Sequence, residues 1–383
     1  MQMTITDKEL VKHLYKMPWK RNDNPNGWVE VTTYCQLKCP GCYRRLDKPD
    51  VEMFHEPPEK IIAEIDRHVR ERNAECISIA GGEPLLYPHL PGILKYIRSR
   101  GCYSLVFTNA VALNDEKMEQ LNNCGGGVIT FLAHVADYQG LEMTAEERRK
   151  ELVRKIKEYP NLRIAFTQIM TPDTLNFLPQ IMAFDAEYNR DITFHLFTLM
   201  KNLADDQDEK EDKRLTSLTT SDMVNSIRHF MPYQPCAYLP TKENPERIGW
   251  LLTIPVYYQD KIIGFFDPEL MQYVCQRYYK RKGKFAYVHK TNTLKLSWIM
   301  ELLKFKSMRT VYANYLKAAV KNPFAMVLPT FHLILFVKPA EKAESGKWNL
   351  CDGCPDAMFY NDRLVPSCIL EHIKRGGDIQ IAL

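Results

Sequence analysis

The sequence predicts an α/β protein. Its core is a partial, TIM-like barrel of six β/α units, followed by a mixed, mainly helical insertion and a small C-terminal cysteine-rich hairpin module. Three observations point there. Between Trp28 and Thr198, short β-branched runs alternate with longer amphipathic ones, the pattern of a parallel sheet with crossover helices. The 383 residues are 45% hydrophobic and 11% aromatic, enough for one large core with additions. Six of the eleven cysteines fall in two tight triplets, one just after the first strand and one near the end of the sequence. An odd total with that clustering reads as metal sites in a reducing compartment rather than a disulfide framework.

Taken in order, residues 1–26 form an N-terminal arm and 27–198 the barrel. The first strand, 28–32, runs into the first cysteine loop. A helix over 57–72 carries Ile61, Ile62, Ile65 and Val69 on one face. Strand 76–80 follows, then a helix over 88–100 that stops at Gly101, a residue helices commonly end on. Strand 105–109 ends at Asn109. A short helix from Asp115 precedes strand 128–134, and Thr144 caps a charged helix reaching Tyr159. Strand 162–170, a helix after Asn176 and strand 192–197 complete the six units.

Residues 199–340 change character. The acidic run 204–213 reads as an exposed linker. Gln259 and Asp260 separate two apolar runs, a hairpin signal, and Pro268 opens a helix at a favoured first-turn position. From 271 to 321 the only acid is Glu301 among twelve lysines and arginines. Leu294, Trp298, Leu302 and Phe305 fit one helix there, and Met308, Val311, Tyr315 and Leu316 a second. The apolar stretch 323–337 is broken by Pro329 and His332 and is too short to span a bilayer. Basic amphipathic helices beside an apolar loop suit a lid, a membrane-facing surface, or a seat for an amphipathic, lipid-like substrate with an anionic head. Nucleic acid ranks lower, because no recognised nucleic-acid motif accompanies the basic residues. With a net charge of +4, no signal peptide and no apolar run of spanning length, the expected location is cytoplasmic, with peripheral membrane contact as an option.

The chemistry gathers at Cys35, Cys39 and Cys42. Three thiolates on one short loop suit three corners of a 4Fe-4S cubane and leave the fourth iron without a protein ligand. A closed zinc site is the alternative, but it wants four ligands and no histidine follows nearby. In barrels of this kind ligands lie at the C-terminal ends of the strands. The polar residues there become candidates: Thr108 and Asn109, His134 with Asp137 and Gln139, Gln168, and His195. His134 and Gln168 are the favoured hydrogen-bonding pair for a cofactor ribose or a substrate.

The cysteine loop, Gly81-Gly82-Glu83-Pro84 after the second strand and Thr108-Asn109 after the third together resemble the radical S-adenosylmethionine (SAM) superfamily. The resemblance implies that Cys35, Cys39 and Cys42 ligate a 4Fe-4S cluster whose open iron chelates SAM. It implies that Gly81, Gly82, Glu83 and Pro84 form the turn that holds the methionine amino group. Reduction by a flavodoxin- or ferredoxin-like donor would release a 5′-deoxyadenosyl radical that abstracts hydrogen from the substrate. The family usually has an aromatic residue just before the third cysteine, to contact adenine. Here Gly41 stands there, and Tyr43 either meets adenine from the other side or simply packs.

Cys351, Cys354 and Cys368 form the second triplet, with strand, turn and strand between them bringing Cys368 back beside the pair. The spacing is similar to the auxiliary-cluster segment of the GTP 3′,8-cyclase family and to shortened auxiliary-cluster modules of other radical SAM enzymes. That implies a second 4Fe-4S cluster within 341–383, with Cys236 and Cys275 as outside candidates for a fourth ligand. A zinc knuckle is the alternative. The expected function is therefore radical SAM chemistry on a lipid-like substrate. A GTP-cyclase-like or peptide-modifying enzyme is the runner-up, although the 26 residues before the first strand are few for a leader-peptide-binding domain. An iron-sulfur electron carrier or scaffold is the non-enzymatic option.

Overall fold

The computed structural model describes residues 5–39, 42–49, 51–137, 143–200, 218–287, 299–321, 327–342 and 348–375. The acidic run, Gly41, Gln139, residues 288–298 of the basic module and 323–326 of the apolar stretch lie outside them.

Ahead of the barrel come α1 (Asp7–Val11) and β1 (Tyr15–Lys16). The six barrel strands are β2 (Asn26–Thr32), β3 (Cys76–Gly81), β4 (Tyr103–Thr108), β5 (Ile129–His134), β6 (Leu162–Met170) and β7 (Ile192–Leu199). They alternate with α2 (Pro58–Arg72), α3 (Leu90–Ser99), α4 (Asp115–Asn122), α5 (Ala145–Ile156) and α6 (Leu178–Glu187). Each strand pairs in parallel with its sequence neighbour, as short crossovers require. Local signals set the helix ends. Thr144 and Glu147 make a reciprocal capping box at the start of α5, and Asn114 caps α4. Val29, Val31, Ile61, Ile65, Ile77 and Ile79 fill the layer between strands and helices.

After the barrel come α7 (Thr220–Arg228), β8 (Ala237–Pro240), β9 (Ile248–Thr253), β10 (Pro255–Tyr258), β11 (Lys261–Phe265), α8 (Pro268–Lys282), α9 (Ile299–Leu302), α10 (Lys306–Lys321), β12 (Thr330–Phe331) and β13 (Leu333–Val337). The insertion mixes helices and strands, and β8, β9 and β13 extend the barrel sheet: the strand order is β1-β8-β9-β13-β7-β6-β5-β4-β3-β2. Residues 333–337, expected as part of an apolar loop, form β13, paired in parallel with β7 and antiparallel with β9. A strand covered on both faces needs no alternation, so its sequence reads as one apolar run. The expected hairpin is β10–β11, turning at Gln259 with φ +56°.

The described part of the basic module packs at the N-terminal ends of the barrel strands. On α8 the Tyr279 hydroxyl donates to Asp23 (2.8 Å) and Tyr278 pairs with Glu75, and beyond its end Lys284 donates to the Ala74 carbonyl (2.8 Å). Helix α10 lies on β11. This layer plugs the bottom of the barrel and does not roof its top. No helix among the described residues is long and apolar enough to cross a membrane.

The chain ends with β14 (Glu341–Lys342), β15 (Trp348–Asn349), β16 (Ala357–Tyr360), β17 (Arg363–Pro366) and α11 (Leu370–Lys374). The β16–β17 hairpin turns at Asn361 and Asp362, both at positive φ, as expected from their residue types. The hairpin leans on the edge strand, β2.

Candidate functional site

A cavity of about 290 Å³ opens at the C-terminal ends of the barrel strands. Cys35, Cys39 and Cys42 line it, and so do Cys351, Cys354 and Cys368. The sheet curls until Trp28 on β2 and Trp250 on β9 share this cavity, and the C-terminal module closes the gap beside β2. Two triplets more than three hundred residues apart thus face one space.

The Gly-Gly turn is built against the chain that leads into the first triplet. Gly81 N closes β3 at φ +124°, and a Cβ there would lie 2.3 Å from the Thr32 carbonyl; at Gly82 it would lie 2.2 Å from that of Tyr34. The freed space is used by backbone bonds, Gly82 N to Thr32 O and Glu83 N to Tyr34 O, both 2.7 Å. Glycine here lets two backbones meet just before Cys35.

Glu83 is fully buried and does not line the cavity. Its carboxylate accepts from Thr108 Oγ1 (2.8 Å), Leu85 N (3.0 Å) and Asn109 N (2.7 Å). Burial outweighs these bonds and raises its pKa to about 7. In this geometry the carboxylate is a strut between the Gly-Gly turn and the end of β4. Pro84 opens a 3-10 turn behind that strut. Thr108 and Asn109 do line the cavity. Asn109 Nδ2 reaches Cys35 Sγ (3.6 Å), while its Oδ1 accepts from Gln36 Nε2 (3.0 Å). One side chain therefore ties the end of β4 to the cysteine loop.

His134 lines the cavity, where burial lowers its pKa to about 4 and keeps the ring neutral. Gln168 does not. Thr167 and Ile169 face inward, so strand alternation turns Gln168 the other way, with Nε2 on the Ile169 carbonyl (3.3 Å). His195 also points away from the cavity, with Nδ1 2.8 Å from Asp185 on α6. Asp137 caps the start of α5 by accepting from Ala145 N (2.7 Å). Tyr43 lies in the wall, edge-on to Trp28 at 6.5 Å, with its hydroxyl 3.4 Å from Glu30. Burial drives its pKa well up.

Sequence reasoning missed two arginines. Arg44, two residues past Cys42, is buried between Glu30 on β2 (2.9 Å) and Glu371 on α11. Arg72, the last residue of α2, is also buried and donates to the carbonyls of Cys354 (2.6 Å) and Ala357 (3.1 Å). The place of Arg44 beside a cysteine motif was a signal for the first; nothing local marked the second. Cys236 and Cys275 do not line the cavity. Cys236 bonds the Leu252 carbonyl in the lower core, and Cys275 sits on α8, so neither reaches the second triplet as a ligand.

Burial pushes up the thiols of Cys35 and Cys42, and that of Cys368 to about 12. Cys354 is pushed well up by its hydrogen bond with Cys351 and by burial. Among the described residues, no three Cys, His, Asp or Glu side chains form a ready single-ion site. Three thiols on each of two loops, opening onto one mostly apolar cavity, fit clusters that spread their ligands over several irons. Such a site needs anionic ligands, and the donor sets supply three each.

Fold and loop together define a barrel that carries a three-cysteine loop after its first strand and a glycine turn after its second. The model of the Radical SAM superfamily matches residues 29–184, the stretch that holds the first cysteine triplet, the Gly-Gly turn and most of the barrel. The chain is similar to the PqqA peptide cyclase of Bradyrhizobium diazoefficiens, 27% identical over 175 residues, 43% of this chain and 43% of that protein. With the PqqA peptide cyclase of Rhodopseudomonas palustris it is 26% identical over 176 residues, 42% of this chain and 44% of that one. The chain thus spans less than half the length of the curated relatives it matches. Among solved structures, Streptococcus suis SuiB bound to S-adenosylmethionine aligns with a TM-score of 0.43 at 16% identity, over 54% of this chain and 47% of that one. Methylornithine synthase aligns at 0.39 and 12%, over 60% and 73%.

Proposed function

We propose that this chain is a peptide-modifying radical SAM enzyme with two 4Fe-4S clusters, one at Cys35, Cys39 and Cys42 and one at Cys351, Cys354 and Cys368. The observation that carries the reading is the shared cavity: both triplets open onto the space where a substrate would sit. The two peptide cyclases among its relatives support the choice of a peptide. When bound, the reduced first cluster and SAM supply a hydrogen-abstracting radical. The chain's own residues bind, orient and exclude water. Leu132, Ile169, Leu196 and Trp250 make an apolar floor, and Leu132, Leu196 and Trp250 also wall a neighbouring void of about 40 Å³. Such a floor suits an apolar substrate side chain and keeps bulk water from the reacting carbon. His134 offers a neutral hydrogen-bonding ring, and Asn109 holds the loop of Cys35 in place. A flavodoxin- or ferredoxin-like protein is the electron donor in this reading.

The lipid-like substrate expected under the basic module has less support, because α8 and α10 lie at the far end of the barrel. Peripheral membrane contact remains a separate proposal. It rests on Leu316 and Val320, 60% and 79% exposed on α10 beside Lys317 and Lys321. Flotation with anionic vesicles tests it: salt-sensitive binding that Leu316→Asp abolishes is the expected result, and none with wild type rejects it.

Anaerobically reconstituted protein, given SAM and dithionite, should yield 5′-deoxyadenosine. Yield should rise with the PqqA peptide or a pool of short synthetic peptides, and not with anionic phospholipid. Stimulation by the phospholipid alone would reverse the substrate assignment. No 5′-deoxyadenosine under any condition would reject the enzyme.

A further inference from the structure

Arg72 is 1% exposed and lies in the wall behind the second triplet. Its Nη2 donates to the Cys354 carbonyl (2.6 Å), Nη1 to those of Ala357 (3.1 Å) and Pro355 (3.4 Å), and Nε to that of Arg21 (3.3 Å). All four contacts are to neutral carbonyls. Among the described residues no carboxylate pairs with it, although Asp356 lies in the same loop; Asp356 Oδ1 instead accepts from Asn26 (3.1 Å) and Tyr287 (3.2 Å). Asp356 acts on Arg72 only through space, without a direct ion pair, and hydrogen bonds to neutral carbonyls do not cancel the charge of a buried cation.

The loop around Arg72 is prepared in detail. Asn24 holds the Gly353 carbonyl (2.8 Å), and Asn26 holds that of Pro355 (3.3 Å). Gly353 sits at φ +69°, where a Cβ would lie 2.4 Å from the Trp19 carbonyl. The further negative charge is the one the three cysteines provide. Three thiolates outweigh the charge of a 4Fe-4S core, and reduction makes the assembly more negative still.

We propose that Arg72 is the positioning residue of the second iron-sulfur centre: fastened to the carbonyls of the Cys354–Ala357 loop, its guanidinium balances the charge of the thiolate-bound cluster and favours its reduced form. This rests on the reading that Cys351, Cys354 and Cys368 hold a cluster. A cation beside a centre that gains an electron raises its reduction potential, because the reduced state is the more anionic one.

The test uses the full chain with Cys35, Cys39 and Cys42 all changed to Ala, so that only the second centre is read by electron paramagnetic resonance during a redox titration. Arg72→Met should disfavour reduction at least tenfold, a midpoint shift of about 59 mV to more negative values for a one-electron couple. Arg72→Lys, which keeps the charge and loses the fork of hydrogen bonds, should stay closer to the parent than to Arg72→Met. An unchanged midpoint in Arg72→Met, or an equal shift in both variants, would overturn the proposal. Should Arg72→Met take up no iron, Arg72→Lys decides: a loaded centre near the parent midpoint supports a role for charge, and an empty one rejects it. A parent protein that binds no iron and sulfide removes the second centre itself, whatever Arg72 does.

Discussion

Asp185 illustrates how a polar residue can look functional and be structural. It is sealed between α6 and the sheet, with His195 Nδ1 at 2.8 Å and His332 Nε2 at 3.7 Å. Burial alone would raise its pKa, but the two imidazoles hold it down at about 2. Asp185→Asn breaks this buried pair and should cost about 3–5 kcal/mol, measured by denaturant unfolding. Glu64, in a polar cleft beside β2 and the C-terminal hairpin, has the opposite sign. Burial raises its pKa from 4.5 to about 7, so between those values the folded chain binds more protons than the unfolded one. Stability from this group is full below pH 4.5 and is lost as pH rises through 7. Glu64→Gln should therefore raise the Tm at pH 8 and leave it nearly unchanged at pH 4; an equal change at both would reject the assignment.

At the scale of elements, the Gly-Gly turn and the first cysteine loop are one piece of construction, since β3 ends by zipping onto the residues before Cys35. Gly82→Ala puts a Cβ into the Tyr34 carbonyl and should lower iron loading at the first triplet without unfolding the barrel. Iron content and the far-ultraviolet circular dichroism spectrum together check this. The barrel strands and their helices were legible because their apolar periods are long and regular, and both hairpins because a short polar pair, Gln259-Asp260 or Asn361-Asp362, separates two apolar runs. The facing of Gln168 and His195 was not, because position along a strand does not say which side alternation places inward. Strand β13 was hidden by Pro329 and His332, of which the first precedes β12 and the second separates β12 from β13. Thr108 and Glu83 could each be picked out as candidates, but not their bond to each other, which depends on how β3 and β4 align.

Over the whole molecule, the two ends of the barrel do different work. The basic layer seals the bottom through α8, while at the top the C-terminal module brings the second cysteine triplet to the cavity that the first one lines. That module is held by buried charges that belong to the barrel: Arg44 to Glu371 and Arg72 to the Cys354 loop. The sequence placed both triplets and their spacing in view. It did not reveal that they share a cavity, which follows from the hairpin docking on the open edge of β2. The central claim is therefore that each triplet holds its own cluster on a common space, and iron and sulfide counting tests it most directly. Wild-type protein should bind two clusters' worth of both, and a Cys351→Ala, Cys354→Ala variant one, still spectroscopically responsive to SAM; equal counts in the two proteins would contradict the account.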